Sequence, residues 1–172
     1  NEYEGGNATP LVVHWPDQLG TQARINKDQV GHVIDMMPTL LDVAGADYPV
    51  SYQGHAIHPV QGKSLLPALE GRSFERGALF FEHEANRAVR SGNWKLVANA
   101  ANNPPYKGEW ELYNLEWDRS ETYDLSEKYP EKAEELSAMW DKWAKENNVY
   151  PLDGRGWNPR IRDDHNEPES DR

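Results

Sequence analysis

The clearest hydrophobic pattern lies in the middle of the chain, where short apolar runs alternate with polar links. The runs cover residues 78–83, 86–90, 93–98 and 110–115. Ser91-Gly92 between the second and third runs is typical of a hairpin turn. Because strand side chains alternate between faces, Trp94 and Leu96 should point to one side and Lys95 to the other. These features predict a four-stranded antiparallel meander.

Residues 129–145 carry apolar side chains with the 3.6-residue period of an amphipathic helix. Pro130 suits the first helical position. The first turns are rich in glutamate and the end carries lysines, the order that the helix dipole favours. The apolar stripe consists of Ala133, Leu136, Trp140, Trp143 and Ala144. We expect this stripe to pack on the meander as core.

The N-terminal third predicts a strand, a helix and loops. Residues 10–15 (PLVVHW) form a β-branched apolar run after Gly5-Gly6, which predicts a buried strand entered from a tight turn. A helix is expected from about Met36, capped by Asp35 and ended by Gly45. Residues 19–29 and 48–63 show no periodicity and predict loops. Residues 64–70 predict a short helical turn.

Composition narrows the class of function. The 172 residues carry 18 Lys+Arg and 29 Asp+Glu, a net charge of −11, which argues against unspecific binding of nucleic acid or anionic lipid. The sequence has no cysteine, so disulfides, thiolate zinc sites and a cysteine nucleophile are excluded in this chain. No run approaches 18 apolar residues. The N-terminus lacks a signal-peptide pattern and does not begin with Met, so the chain is expected to be processed, cut or a fragment.

One short segment contains several polar side chains of the kinds that act in binding or catalysis. Residues 82–87 (EHEANR) place two carboxylates, an imidazole, an amide and a guanidinium at the junction of two predicted strands. His83 could serve as a hydrogen-bond donor or acid, and Arg87 could hold an anion. A structural ion-pair network is the alternative. His55 and His58 lack a third zinc ligand, and His14 inside an apolar run is typical of a core histidine.

Five collinear segments resemble motifs of type I sulfatases. Residues 3–16 are similar to the family's YEGG…TP-L-I-V-H-W-P stretch, residues 31–42 to its GHVIDIMPTLLD helix, and residues 62–67 to its G-x-S-L-x-P loop. Residues 82–97 resemble EHEGNRAVRxGxWKLV, and residues 110–125 resemble WELYDLxxDxxExxDL. The resemblance covers about residues 1–152, and the bacterial arylsulfatase branch is the most similar.

The resemblance implies an alkaline-phosphatase-like α+β fold. Residues 1–72 would be the C-terminal end of the α/β catalytic domain, contributing an edge strand and a helix. Residues 73–152 would be the C-terminal subdomain, a four-stranded antiparallel sheet with a packed helix, and residues 153–172 a mobile tail. Export to the periplasm or the extracellular space is also implied.

The catalytic parts of the family are missing. Sulfatases hydrolyse sulfate esters with a formylglycine made in a C/S-x-P-x-R motif and with Ca²⁺, but this sequence has neither that motif nor the paired calcium ligands. A family lysine that contacts sulfate falls just before Asn1. The resemblance therefore implies the C-terminal portion of an arylsulfatase, inactive alone and without a cofactor of its own. Its partners would be an N-terminal catalytic half and a sulfate-ester substrate.

The resemblance assigns no catalytic residue and no metal ligand to this chain. His83, Asn86 and Arg87 match the family stretch near the mouth of the pocket and are the substrate-binding candidates. Ala85 stands where the family often has glycine.

Two other functions remain open at this stage: a free-standing acidic carbohydrate- or protein-binding module that stacks ligands on tryptophan, and a subunit that completes a sulfatase from two chains. Residues 10–15 discriminate between the first of these and the sulfatase portion. They would pair within the chain in an independent module and would stay an unpaired apolar edge in a sulfatase portion.

Overall fold

The computed structural model describes residues 2–20, 25–26, 29–73, 75–100 and 108–152. Its chain forms two compact units. The sheet unit comprises Asn1–Thr9 and Gly77–Arg172, and the second unit comprises Pro10–Arg76.

The helices and strands follow one another in a mixed α+β order. The helices are α1 (Glu4–Asn7), α2 (Pro16–Leu19), α3 (Met36–Ala44), α4 (Leu66–Leu69) and α5 (Pro130–Glu146), with a 3₁₀ turn at Val33–Asp35. The strands are β1 (Ser51–Tyr52), β2 (His55–Ala56), β3 (Leu79–His83), β4 (Asn86–Ser91), β5 (Trp94–Ala98) and β6 (Glu111–Asn114). None of the described helices combines the length and apolar character needed to cross a bilayer.

The sheet unit confirms the predicted meander and final helix. Strands β3 to β6 pair antiparallel in sequence order, and Gly92 takes a positive φ of 58° in the β4–β5 turn. The register places Val89 opposite Leu96, and Leu96 opposite Leu112, on the face that packs against α5. Each such buried aliphatic side chain contributes roughly 1.5–3 kcal/mol.

The tryptophan stripe of α5 lies in this core, as predicted. Leu136, Trp140 and Ala144 are buried, and the Trp143 ring stacks on Phe80 at 5.2 Å. The Trp140 indole N–H donates to the Phe81 carbonyl oxygen at 3.0 Å, which satisfies its one polar group.

The opposite face of the sheet carries a smaller cluster. Ala88, Val97 and Tyr113 are buried there, with Tyr3 and Phe81 packed against them. Tyr3 comes from the N-terminal segment, and residues 2–9 belong to the sheet unit, an association that no sequence pattern predicted. The predicted assignment of residues 1–72 and 73–152 to two domains of a larger enzyme stays a prediction, and residues 153–172 lie outside the described residues.

The second unit contains the predicted helix but not the predicted cap. Gly45 ends α3 in the left-handed conformation (φ 61°), as expected. The Asp35 side chain makes no cap bond to α3. Its fully buried carboxylate instead accepts backbone N–H groups from His32 (2.7 Å) and Lys63 (2.8 Å) and pairs with Arg76 at 2.7 Å. Asp35 thus ties the start of α3 to the 62–63 loop.

Three sequence predictions about the N-terminal third are wrong. Residues 10–15 form no strand, because no described strand pairs with them, and their His14 is exposed rather than a core histidine. Residues 48–63, predicted as loop, contain the β1–β2 hairpin. Gly5-Gly6 lies in the helical turn α1 rather than in a tight turn. The predicted turn near residues 64–70 is confirmed as α4.

Gly62 tests how tightly the Asp35 contacts are packed. An added Cβ would lie 2.4 Å from the Ile34 carbonyl oxygen and 2.8 Å from Asp35 Oδ1, at a φ of +87°. We expect Gly62→Ala to lower the free energy of unfolding by about 2–4 kcal/mol in a urea titration. Gly54→Ala is the control, because its φ is +82° but nothing lies within 4 Å; it should cost only about 1 kcal/mol. Equal losses would contradict this packing.

Candidate functional site

The β3–β4 turn presents the polar segment singled out in the sequence. His83 pairs with Asn86, and the two residues between them both take positive φ, 54° at Glu84 and 62° at Ala85. This is the geometry of a two-residue type I′ hairpin. The Glu82 carboxylate accepts the Ala85 N–H at 2.8 Å and supports the turn without glycine.

The three substrate-binding candidates lie on two faces of the sheet. Residues directly opposite in an antiparallel pair share a face, so Arg87 lies with Glu82 and His83 lies with Asn86. Arg87 belongs to the face that packs against α5. His83 is exposed beside the turn. The structure therefore does not bring these three side chains to one surface, and their contact with substrate stays a prediction.

Asn86 shapes the turn. Its Nδ2 donates to the His83 carbonyl at 2.8 Å, and its Oδ1 accepts the Ala100 N–H at 3.1 Å. The side chain is buried, so these bonds satisfy groups that would otherwise be orphaned. Asn86 thereby fixes the backbone that presents His83.

Arg87 lines a cleft between the sheet and α5. Its guanidinium carbon lies 4.5 Å from the Trp110 ring centroid and 5.7 Å from that of Trp140. Its Nη2 donates to the Gly108 carbonyl at 2.8 Å. Burial lowers the pKa of Arg87, while Tyr150 and then Asp141 act in the opposite direction.

A buried charge cluster on the opposite face was missed by sequence reasoning. Lys95 is 0% exposed, and its Nζ lies 2.9 Å from Glu121 Oε1 and 3.2 Å from Glu4 Oε1. Arg119 and Arg90 approach Glu4 from outside at 3.5 and 3.9 Å. The partners lie 91 residues apart in sequence for Glu4 and Lys95, so only the fold brings them together. We call these residues the Lys95 cluster.

A tyrosine pair next to the Lys95 cluster adds to the same face. The Tyr3 and Tyr113 hydroxyls both donate to Glu111 Oε2, the second at 2.7 Å. Burial, followed by the bond to Glu111, raises the pKa of Tyr113, so it stays a donor at neutral pH. The N-terminal segment is therefore held by the side chains of two successive residues, Tyr3 and Glu4.

Comparison with known proteins identifies the family. The model of the family "N-sulphoglucosamine sulphohydrolase, C-terminal" matches residues 2–148. The chain belongs to that family.

Curated relatives of this sulphohydrolase-family chain are sulfatases. An uncharacterised sulfatase of Schizosaccharomyces pombe is 29% identical over 150 residues, covering 85% of this chain and 26% of the relative. The N-acetylglucosamine-6-O-sulfatase of Bacteroides thetaiotaomicron is 26% identical over 151 residues, covering 84% and 26%. The chain thus spans about a quarter of the length of these relatives and corresponds to part of a sulfatase.

Solved structures agree. A protein solved with its substrate D-glucosamine-2-N,6-O-disulfate is 25% identical, with a TM-score of 0.51 over 71% of this chain and 25% of that one. A 2-O GAG sulfatase is 25% identical, with a TM-score of 0.50 over 74% of this chain and 28% of that one. The mixed α+β fold with its four-stranded sheet and final helix is therefore the fold of a sulfatase part.

The part of the chain that the structure describes offers no metal site of the kind that the resemblance implies for a whole sulfatase. The described residues contain no group of three or more His, Asp or Glu side chains arranged to hold an ion. The sequence contains no cysteine. Asp35 is already committed to Arg76 and two backbone N–H groups.

The Lys95 cluster should be visible in the pH dependence of stability. Burial raises the pKa of Glu121 above its ordinary value of 4.5, while its bonds to Glu4 N–H and Lys95 oppose the rise. The folded chain then binds this proton more readily than the unfolded chain, so this carboxyl lowers stability as pH rises from 4.5 through the raised pKa.

Glu121→Gln removes this titration. The quantity compared is the free energy of unfolding of the wild type minus that of the variant. We expect this difference to decrease as pH rises from 4.5 through the raised pKa of Glu121, and then to level off. Urea titrations between about pH 4 and 8 measure it. Glu127→Gln, at an exposed carboxyl, is the charge-matched control. A difference that grows with pH would contradict the raised pKa of Glu121 and would mean that its pairing with Lys95 outweighs its burial.

Proposed function

We propose that this chain is the C-terminal portion of an arylsulfatase-type sulfuric ester hydrolase, contributing the rim of the substrate pocket. An N-terminal catalytic half of alkaline-phosphatase-like fold would supply the formylglycine nucleophile and the Ca²⁺ ligands. The proposal is supported by the family match over residues 2–148 and by the quarter-length coverage of sulfatase relatives.

The observation that carries the proposal is the exposed apolar surface of the second unit. Val12 is 87% exposed, Leu40 61% and Met37 52%, and α3 has no buried residue. Many large apolar side chains left open to water in one small unit favour an interaction site. Residues 10–15 form no strand and pair with none that is described, whereas an independent binding module would pair them, and this favours the sulfatase portion. A catalytic half is the occupant that fits.

At the rim, His83 is the side chain offered to substrate. It is exposed at the end of β3 and held by a turn that Asn86 and Glu82 brace. An imidazole in this position can donate a hydrogen bond to a sulfate oxygen or to the ester's leaving oxygen. The parent enzyme would act in the periplasm or outside the cell, as expected from the resemblance.

The first test asks whether this chain hydrolyses a sulfate ester without a catalytic half. The purified 172-residue chain should not hydrolyse 4-nitrophenyl sulfate, with or without calcium, because it carries no cysteine and no S-x-P-x-R serine. Joined to a catalytic half bearing formylglycine, it should support turnover. Turnover by the chain alone would contradict the proposal.

The second test asks whether His83 contacts the substrate at the rim of the pocket. In the joined enzyme, His83→Ala should lower kcat/KM by roughly tenfold or more, the loss expected for one hydrogen bond to a charged group. His55→Ala, at another exposed histidine, is the matched control and should leave kcat/KM unchanged. Equal values for the two variants would remove His83 from the substrate site.

A further inference from the structure

We propose that Glu4 is a positioning residue of the joined enzyme. Through Lys95 and Glu121 it fixes the end of the chain to which the catalytic half would connect, and so sets how that half meets His83. The inference rests on the proposed function and deepens it, because it gives the Lys95 cluster a role in the activity as well as in stability. Glu4 acts through the backbone that it holds and not by touching substrate.

Residue 4 is held both by its side chain and by its backbone. Its Oε1 lies 3.2 Å from Lys95 Nζ, and its N–H donates to Glu121 Oε2. The other oxygen of Glu121, Oε1, lies 2.9 Å from the same Lys95 Nζ. Glu121 therefore bridges the ammonium and the Glu4 backbone. Glu4 cannot leave the sheet without removing one of the two carboxylates that neutralise a fully buried lysine.

These contacts hold the chain close to its first residue. Glu2 and Glu4 are each 8% exposed, and Tyr3 between them packs on the sheet and donates its hydroxyl proton to Glu111. We call the contacts of Tyr3 and Glu4 with the sheet the N-terminal anchor. Glu4 lies three residues from residue 1, and three residues of chain span at most about 11 Å. A catalytic half joined at residue 1 would therefore begin within about 11 Å of the N-terminal anchor.

The N-terminal anchor and the proposed rim lie on the same face of the sheet. Tyr3 and Phe81 pack against one buried cluster on the face opposite α5. His83 follows Phe81 by two positions on β3, so the two side chains share that face. Lys95 and Val97 share the same face of β5 for the same reason. The catalytic half would thus join the chain on the side of the sheet that presents His83.

A firmly held join matters because the reacting groups would come from two parts of the enzyme. A misplacement of about 1 Å can cost on the order of 100-fold in rate. Loss of alignment weakens interactions that are made in the transition state more than those made with bound substrate, so it lowers kcat and leaves KM nearly unchanged. A residue that only stabilised the fold would not change the kcat of the folded enzyme.

The test measures kcat and KM of the joined enzyme with 4-nitrophenyl sulfate, under conditions in which urea titration shows each variant to be folded. Glu4→Gln keeps the shape of the side chain and removes its charge. We expect kcat to fall roughly tenfold or more while KM changes less than about twofold. Glu127→Gln, at an exposed carboxyl, is the charge-matched control and should change neither value.

Two further variants separate positioning from stability. Leu136→Ala weakens the core on the α5 face, away from the N-terminal anchor, and should leave the kcat of the folded enzyme unchanged. Tyr3→Phe keeps the ring on the sheet and removes only the bond to Glu111, so it is the milder change. We expect it to lower kcat by about three- to tenfold with little change in KM.

The outcomes distinguish this inference from the proposed function. If the wild-type joined enzyme is active, an unchanged kcat for Glu4→Gln, or an equal loss for Leu136→Ala, would overturn the inference alone. If Glu4→Gln does not fold, Tyr3→Phe decides, and an unchanged kcat for that variant would overturn it. A wild-type joined enzyme without turnover would overturn the proposed function and this inference together.

Discussion

A lysine with no contact with water constrains the whole sheet unit. Lys95 lies in the central strand β5, and a buried ammonium is tolerated only when carboxylates neutralise it. The two that do so come from Glu4 at the N-terminus and Glu121 after β6. Neutralising one charge therefore fixes two distant segments on the sheet. Removing one partner of such a pair costs about 3–5 kcal/mol, since it leaves an uncompensated charge in the interior.

The second unit follows the same principle on a smaller scale. The Asp35 carboxylate pairs with Arg76 and accepts the backbone N–H groups of residues 32 and 63. Gly62 lies so close to Asp35 and Ile34 that a Cβ would not fit. The segments that resemble sulfatase motifs thus meet at buried charges: the YEGG stretch meets the WKL strand at Lys95, and the helix motif meets the G-x-S-L loop at Asp35. In this chain those motifs build scaffold.

Sequence reasoning succeeded where a short-range pattern decided the outcome. Alternation and the Ser91-Gly92 turn defined the meander, and the 3.6-residue stripe defined α5, since both depend on neighbours in sequence. The same alternation could have separated Arg87 from its neighbour Asn86, because successive positions of one strand face opposite ways. Placing His83 with Asn86 also needs the register of the β3–β4 hairpin. Sequence reasoning failed where contacts between residues far apart in the chain decide the structure. Residues 10–15 have strand composition without a described partner, and Asp35, expected as a helix cap, is claimed by Arg76 from 41 residues away.

A double-mutant cycle on the pair that anchors the N-terminus tests this account most directly. The free energies of unfolding of Glu4→Gln, Lys95→Met, the double variant and the wild type are measured at neutral pH. We predict a coupling energy of about 2–3 kcal/mol, since either single change removes the buried Glu4–Lys95 contact. Additivity within about 0.5 kcal/mol would mean that Lys95 does not hold the N-terminal segment on the sheet.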